Sequence, residues 1–257
     1  MIRIGTAGAA ELYTREGLQS LKDEGLNAME VEFTYGVRMS NNAALGIGAD
    51  AKKLGIALSV HAPYYVNLAS KEKPKIHASA HRVLESCEKA HHLGATHVVF
   101  HPAFLQGRAS EEVFPIVCEQ IQKMQDVIDE SGWKVNLAPE TTGKQSQFGD
   151  VDELLRLRDE TGCSMCVDFA HLLARTGSID YTGVFDKLRP LKHIHAHFSG
   201  IEYGDKGERR HILTTEDVIE PFLKEVVKRN ADITIINESP DPVSDAVKTL
   251  GVLRNII

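Results

Sequence analysis

The sequence predicts an α/β fold, a (β/α)8 barrel, on three observations. Strand-like and helix-like segments alternate along all 257 residues, the pattern of a parallel sheet joined by crossover helices. Several strand-like runs are almost continuously apolar, as expected where helices cover the strands. Six runs finish on a side chain of metal-ligand type at the same relative place, and barrel active sites gather at the carboxyl ends of the strands. Such a barrel takes about 250 residues, so residues 1–257 are expected to form one domain.

In order, strands are expected at 2–6, 28–33, 57–61, 97–101, 134–139, 164–168, 193–197 and 233–237. Between them lie helical patterns. Leu84, Cys87, Ala90 and His91 recur at helical spacing within 75–93, and Gly94 stops that helix. Val113, Ile116, Val117, Ile121, Met124 and Ile128 form a second stripe, ended by Ser131-Gly132. Asp150 precedes 151–158 as an N-cap, with Glu153 as its capping-box partner. Thr214 or Thr215 is expected to cap 216–228, and 245–255 closes the chain. An open doubly wound sheet is the competing architecture. Gly5-Thr6-Ala7-Gly8 lacks the rest of a dinucleotide-binding glycine motif, so nothing favours it.

Composition narrows the functional classes. A hydrophobic fraction of 42% and a charged fraction of 25% fit a soluble globular chain. No apolar stretch approaches the roughly 18 residues of a membrane span. Met1–Gly5 reads as a strand start without a signal-peptide core, so a cytosolic address is expected. Cys87, Cys118, Cys163 and Cys166 are too few for a disulfide scaffold and are expected as reduced core thiols. Cys163-x-x-Cys166 has no second pair, and Cys166 falls inside an expected strand. The net charge of −7 argues against a broad nucleic-acid surface but leaves room for a local basic rim.

The six strand-end residues are His61, His101, Glu140, Asp168, His197 and Glu238. Gathering three imidazoles and three carboxylates without cations is costly. Mixed nitrogen and oxygen donors suit Zn2+, with Mn2+ or Fe2+ as alternatives. There are too many for one tetrahedral zinc, which implies two or more ions sharing a carboxylate. His171, just past the sixth strand, and His211, in the loop after the seventh, can reach the same face. His195 points the same way as His197 but one layer deeper, as an outer partner. His77, His81, His91 and His92 fall on a helix, and His97 and His193 at the far end of the barrel.

Several segments resemble the endonuclease IV family, metal-dependent apurinic/apyrimidinic (AP) endonucleases with a xylose isomerase-like TIM barrel. They are His61-Ala62-Pro63-Tyr64-Tyr65-Val66-Asn67-Leu68-Ala69-Ser70, Phe100-His101-Pro102, Pro139-Glu140-Thr141-Thr142-Gly143, Cys166-Val167-Asp168-Phe169-Ala170-His171 and Asn237-Glu238-Ser239-Pro240. The resemblance implies three metals, usually zinc. His61, His101 and Glu140 would hold the first. Glu140, Asp168, His197 and Glu238 would hold the second, with Glu140 bridging as the candidate catalytic residue. His171 and His211 would hold the third. The family's Asp-Arg-His triplet reads Arg209-Arg210-His211 here, so the third site lacks an expected carboxylate; neighbouring Glu208 starts from a different backbone position. The family's His-x-Asn-Asp is also altered, to His197-Phe198-Ser199-Gly200.

The implied reaction is cleavage of the DNA phosphodiester 5′ to an abasic site in base excision repair. The implied partner is damaged double-stranded DNA, and the protein is expected as a monomer. Arg38 and Tyr64 are the candidates for filling the gap left by the lesion. Lys71, Lys73, Lys144, Arg209 and Arg210 could add phosphate contacts. Two alternatives stand beside this reading. One is a sugar isomerase or epimerase on the same barrel, with Glu140 and Glu238 as proton-transfer groups. The other is a DNA-lesion binding protein with weak catalysis.

Overall fold

The computed structural model describes residues 1–8 and 13–257. In chain order the elements are β1 (Ile2–Ala7), α1 (Arg15–Asp23), β2 (Ala28–Glu32), α2 (Asn41–Leu54), β3 (Ala57–His61), α3 (Lys73–Leu93), β4 (His97–Phe100), β5 (Ala103–Phe104), α4 (Ser110–Glu130), β6 (Asn136–Pro139), β7 (Gln147–Phe148), α5 (Val151–Thr161), β8 (Cys166–Asp168), α6 (Phe169–Thr176), α7 (Tyr181–Lys187), β9 (Ile194–Phe198), β10 (Gly200–Gly204), β11 (Gly207–Ile212), α8 (Glu216–Lys228), β12 (Ile233–Asn237) and α9 (Pro242–Ile256).

Eight strands form one parallel sheet in the order β6-β4-β3-β2-β1-β12-β9-β8. First and last strands pair, Ile4 opposite Ile235. The remaining seam, between β6 and β8, is joined by a parallel bridge between Glu140 and Cys166. There the Thr141 N–H donates to the Cys166 carbonyl at 3.0 Å and the Ser164 N–H to that of Leu137 at 2.9 Å. The sheet therefore closes into a TIM barrel, and the open-sheet alternative is excluded.

Alternation along the strands sets the two faces. Met29, Val31, Leu58, Val60, Val98 and Phe100 join the large apolar core shared with the surrounding helices. Inside the barrel, Val99, Ala138 and Cys166 make a small separate cluster. Much of the rest of that interior is polar. The register sets Glu30 beside Ser59 and Glu32 beside His61, and Cys166 beside His195 and Asp168 beside His197. All four cysteines are free and buried. No helix among the described residues is long and apolar enough to cross a membrane.

Several local expectations hold. Asp150 and Glu153 form a reciprocal capping box, each backbone N–H donating to the other's carboxylate at 2.8 Å. Gly94 ends α3 at φ 67, in the left-handed region that suits glycine. Other expectations are corrected. α3 begins at Lys73, two residues early, because Pro74 fits the first helical turn. Neither threonine caps α8 through its side chain. Thr215 occupies the cap without such a bond, and the Thr214 hydroxyl accepts from the Gly200 N–H at 2.9 Å. The segment after the seventh barrel strand is not a plain loop but the antiparallel hairpin β10–β11, with His211 on its second strand.

Candidate metal centre

The six strand-end side chains converge on one point, and Glu140 is its hub. Its carboxylate is fully buried. Oε2 lies 3.2 Å from His61 Nε2 and 3.0 Å from His101 Nε2. Oε1 lies 3.1 Å from His197 Nδ1 and 3.3 Å from His171 Nδ1. One carboxylate thus faces four imidazoles from four stations around the barrel. Ligand-type atoms within 4.8 Å of one another form the groups His61–His101–Glu140, Glu140–Asp168–His197–Glu238 and Asp168–His171–His211.

The electrostatics describe a site made for positive charge. Burial opposes ionisation of Glu140, yet His101 and His197 hold its carboxyl well below the usual range. Burial likewise opposes a charged His61, but Glu140 and Glu32 outweigh it and raise the imidazole to about 10. Asp168 is pushed up to about 6 by burial, against the pull of His171. Its Oδ2 is buried and accepts no hydrogen bond. An orphaned carboxylate oxygen among imidazoles at ligand spacing fits divalent cations well.

Three of the imidazoles are oriented from behind. His61 Nδ1 donates to the Ala62 carbonyl at 2.7 Å, leaving Nε2 toward Glu140. His171 Nδ1 donates to the Thr141 carbonyl at 2.9 Å. His211 Nδ1 meets the Ser199 hydroxyl at 2.6 Å, so Ser199, within the altered segment after β9, aims that ring. Partners of this kind fix which ring nitrogen faces a metal.

A carboxylate approaches the third group from position 208 rather than 209. Along the hairpin, Glu202 pairs with Arg210 and Tyr203 with Glu208, which leaves Arg209 as the extra residue of a β-bulge. Arg209 faces outward, its guanidinium 3.5 Å from Glu202. Glu208 faces inward, its Oε2 3.4 Å from His171 Nε2. Gly143 makes the room: a Cβ there would meet Glu208 Cβ at 2.6 Å and its Oε2 at 2.9 Å.

Sequence reasoning missed Glu30 and Glu32. Glu30 is fully buried one layer below the cluster, in contact with His195 and His197 at 2.9 and 2.8 Å. Glu32 lines the site, and burial pushes it up to about 8. The available signal was two acids alternating with Met29 and Val31 in a strand that is otherwise apolar.

A cavity of about 400 Å3 opens over the cluster, lined among others by Glu32, His61, Tyr64, Lys144, Glu208 and Glu238. Tyr64 stands at its edge, 54% exposed, with its ring 5.8 Å from that of His61. Arg38 lies outside this cavity. It lines a neighbouring one after β2 that shares Glu32 and Thr34 with it. Lys71 and Lys73 are exposed. Arg209 and Arg210 both pair with Glu202, which reduces their availability as a basic rim.

The family model of the xylose isomerase-like TIM barrel matches residues 18–256. An uncharacterized protein of Methanocaldococcus jannaschii is 35% identical over 96% of this chain and 95% of its own. A probable endonuclease 4 of Mycobacterium ulcerans is 27% identical over 75% of this chain and 77% of its own. Endonuclease IV from Thermus thermophilus superposes with a TM-score of 0.73 at 22% identity, covering 99% of this chain and 98% of that one. The 3-keto-D-glucoside 4-epimerase of E. coli reaches 0.69 at 15% identity, covering 99% and 100%. At these identities the two structures speak for the fold alone. The expected kinship with endonuclease IV proteins is borne out. Closed barrel, strand order and family match agree: the chain belongs to the xylose isomerase-like TIM barrel family.

Proposed function

We propose that this protein is a metal-dependent endonuclease that cleaves DNA 5′ to abasic sites. The observation that carries the reading is the Glu140 carboxylate shared among four imidazoles, with Asp168 and Glu238 beside it. Relatives described as probable endonuclease 4 support the same class.

In this reading His61, His101 and Glu140 hold one cation, and Glu140, Asp168, His197 and Glu238 a second. His171 and His211 hold a third, with Glu208 in place of the expected aspartate. Zn2+ suits these donors, with Mn2+ or Fe2+ as alternatives. Bound cations would activate water near neutral pH and neutralise phosphate charge. The chain's own groups do the rest. Glu140 holds neighbouring ligands at fixed spacing. Lys144 reaches phosphate at the cavity rim. Tyr64 packs against the extruded sugar, and Arg38 enters the duplex from the β2–α2 segment. Extruding an abasic nucleotide costs less than flipping a paired base. A protein of this size is proposed to act as a cytosolic monomer.

The test is incision of a duplex carrying one tetrahydrofuran abasic analogue, by protein loaded with Zn2+ or Mn2+. Expected is a single cut 5′ to the analogue, abolished by prolonged chelation. Absence of a cut by fully loaded protein defeats the proposal. A sugar epimerase is the second reading. It is favoured by the size of the cavity, which lies within the usual small-ligand range of about 300–1,000 Å3. Exchange of solvent deuterium into ketoses, without DNA incision, would support it.

A further inference from the structure

His197 is held differently from the other imidazoles of the cluster. His61 and His171 are aimed by backbone carbonyls and His211 by a hydroxyl. Behind His197 stands a buried carboxylate. Its Nε2 lies 2.8 Å from Glu30 Oε1, a charge contact outside hydrogen-bond geometry, and neither atom has any hydrogen-bond partner. Two lone pairs at that distance would repel, so Nε2 carries a proton; in metal-free protein Nδ1, hydrogen-bonded to Glu140 Oε1, carries one as well, and a cation at Nδ1 would displace only that second proton. The opposite nitrogen, Nδ1, then faces Glu140 Oε1 at 3.1 Å and Glu238 Oε2 at 3.3 Å.

Glu30 is itself fixed. Its Oε2 receives the Ser59 hydroxyl at 2.6 Å and His195 Nε2 at 2.9 Å. His97 stacks flat on His195, ring centroids 5.1 Å apart at an interplanar angle of 8°. Glu30, Ser59 and His195 are all at most 3% exposed. This barrel layer is usually filled by branched apolar side chains. A carboxylate there is expensive unless every oxygen is partnered.

We propose that Glu30 and His195 form a buried positioning pair that locks His197 with Nε2 protonated and Nδ1 directed at the metal centre. The negative charge of Glu30 also makes His197 a stronger donor to a cation. The proposal rests on the metal-centre reading above and adds residues from outside the ligand set.

The test uses full-length protein, histidine-labelled with 15N and loaded with Zn2+. Long-range 1H–15N correlation reads the His197 tautomer, and competition with a chromophoric chelator reads Zn2+ affinity. Expected in the wild type is the Nε2–H form. Glu30→Leu should mix or invert it and weaken Zn2+ by about 10–100-fold. Glu30→Gln, which keeps an acceptor oxygen, should recover the tautomer and most of the affinity. Glu30→Leu with wild-type affinity and an unchanged tautomer overturns the proposal. Should Glu30→Leu fail to fold, His195→Leu decides: weaker Zn2+ upholds the pair, and wild-type affinity overturns it. A wild type that takes up no Zn2+ defeats the metal reading instead. The His197 Nε2–H resonance is then followed in metal-free protein, where its loss in Glu30→Leu upholds the pair and its persistence overturns it.

Discussion

Replacing Glu140 with glutamine keeps the size of the side chain and removes the charge that four imidazoles share. The amide nitrogen is a donor, so it opposes at least one ring that now points a nitrogen at the carboxylate. Glu140→Gln should lose metal from the first two groups together and lower incision by more than about 100-fold, beyond the usual effect of an outer partner. Metal analysis of the purified variant, paired with the abasic-duplex assay, checks this. His211→Ala should cost one ion at most, because His211 belongs only to the third group. The six strand-end candidates were legible because each closes an apolar run. Glu30 and Glu32 were not, because the expected strand ran on to Phe33 and so hid Glu32 as the residue that closes β2. The role of Glu30 depends on His195, 165 positions away.

The β10–β11 hairpin turns a missing residue into a shifted one. The family's Asp-Arg-His triplet begins on a carboxylate where this chain has Arg209. The bulge rotates Arg209 outward and Glu208 inward, and no local pattern announces a bulge. Arg209→Asp therefore adds no ligand, whereas Glu208→Gln should lower metal content by about one ion while the first two groups stay filled. Gly143→Ala should do the same by displacing Glu208, whose Cβ would lie 2.6 Å from the new methyl. Metal-to-protein ratios of the three variants distinguish these outcomes. The segment from the hairpin into α8 is pinned by Asp245 of α9. This carboxylate is 1% exposed, accepts the Thr214 N–H at 2.6 Å and pairs with Lys248 at 2.7 Å. Burial opposes its charge, but Lys248 and Thr214 prevail and lower it below its ordinary value. A depressed folded-state value gives stability that is present above the unfolded value near 3.9 and lost as pH falls through the folded one. Asp245→Asn should cost about 1–3 kcal/mol at pH 7, and the gap from wild type should close toward pH 3 and below in urea denaturation.

At the scale of the molecule, the fold was legible because eight strand-like runs alternate with helical patterns and six of them end on ligand-type side chains, while closure itself is seen in the bridge between Glu140 and Cys166. Boundaries shifted by a residue or two where Pro74 or a hairpin intervened. The barrel concentrates acidic groups around Glu140 although its net charge is already −7. Metal-free protein meets that cost by keeping imidazoles protonated, and His61 is held at about 10. A cation can bind only after these rings lose their protons. Loading at pH 7 should therefore release protons, and affinity should rise with pH until the rings are neutral. Titration calorimetry in buffers of different ionisation enthalpy measures the proton count; a count of zero would show that the rings are already neutral. The same linkage sets stability. Cations at about 100 times their dissociation constant add about 2.7 kcal/mol per site, or roughly 5–10 °C for a domain of this size. Prolonged chelation should lower the melting temperature by at least that much, and readdition of Zn2+ should restore it. A melting temperature indifferent to both steps would mean that the carboxylate and imidazole cluster is stable without ions.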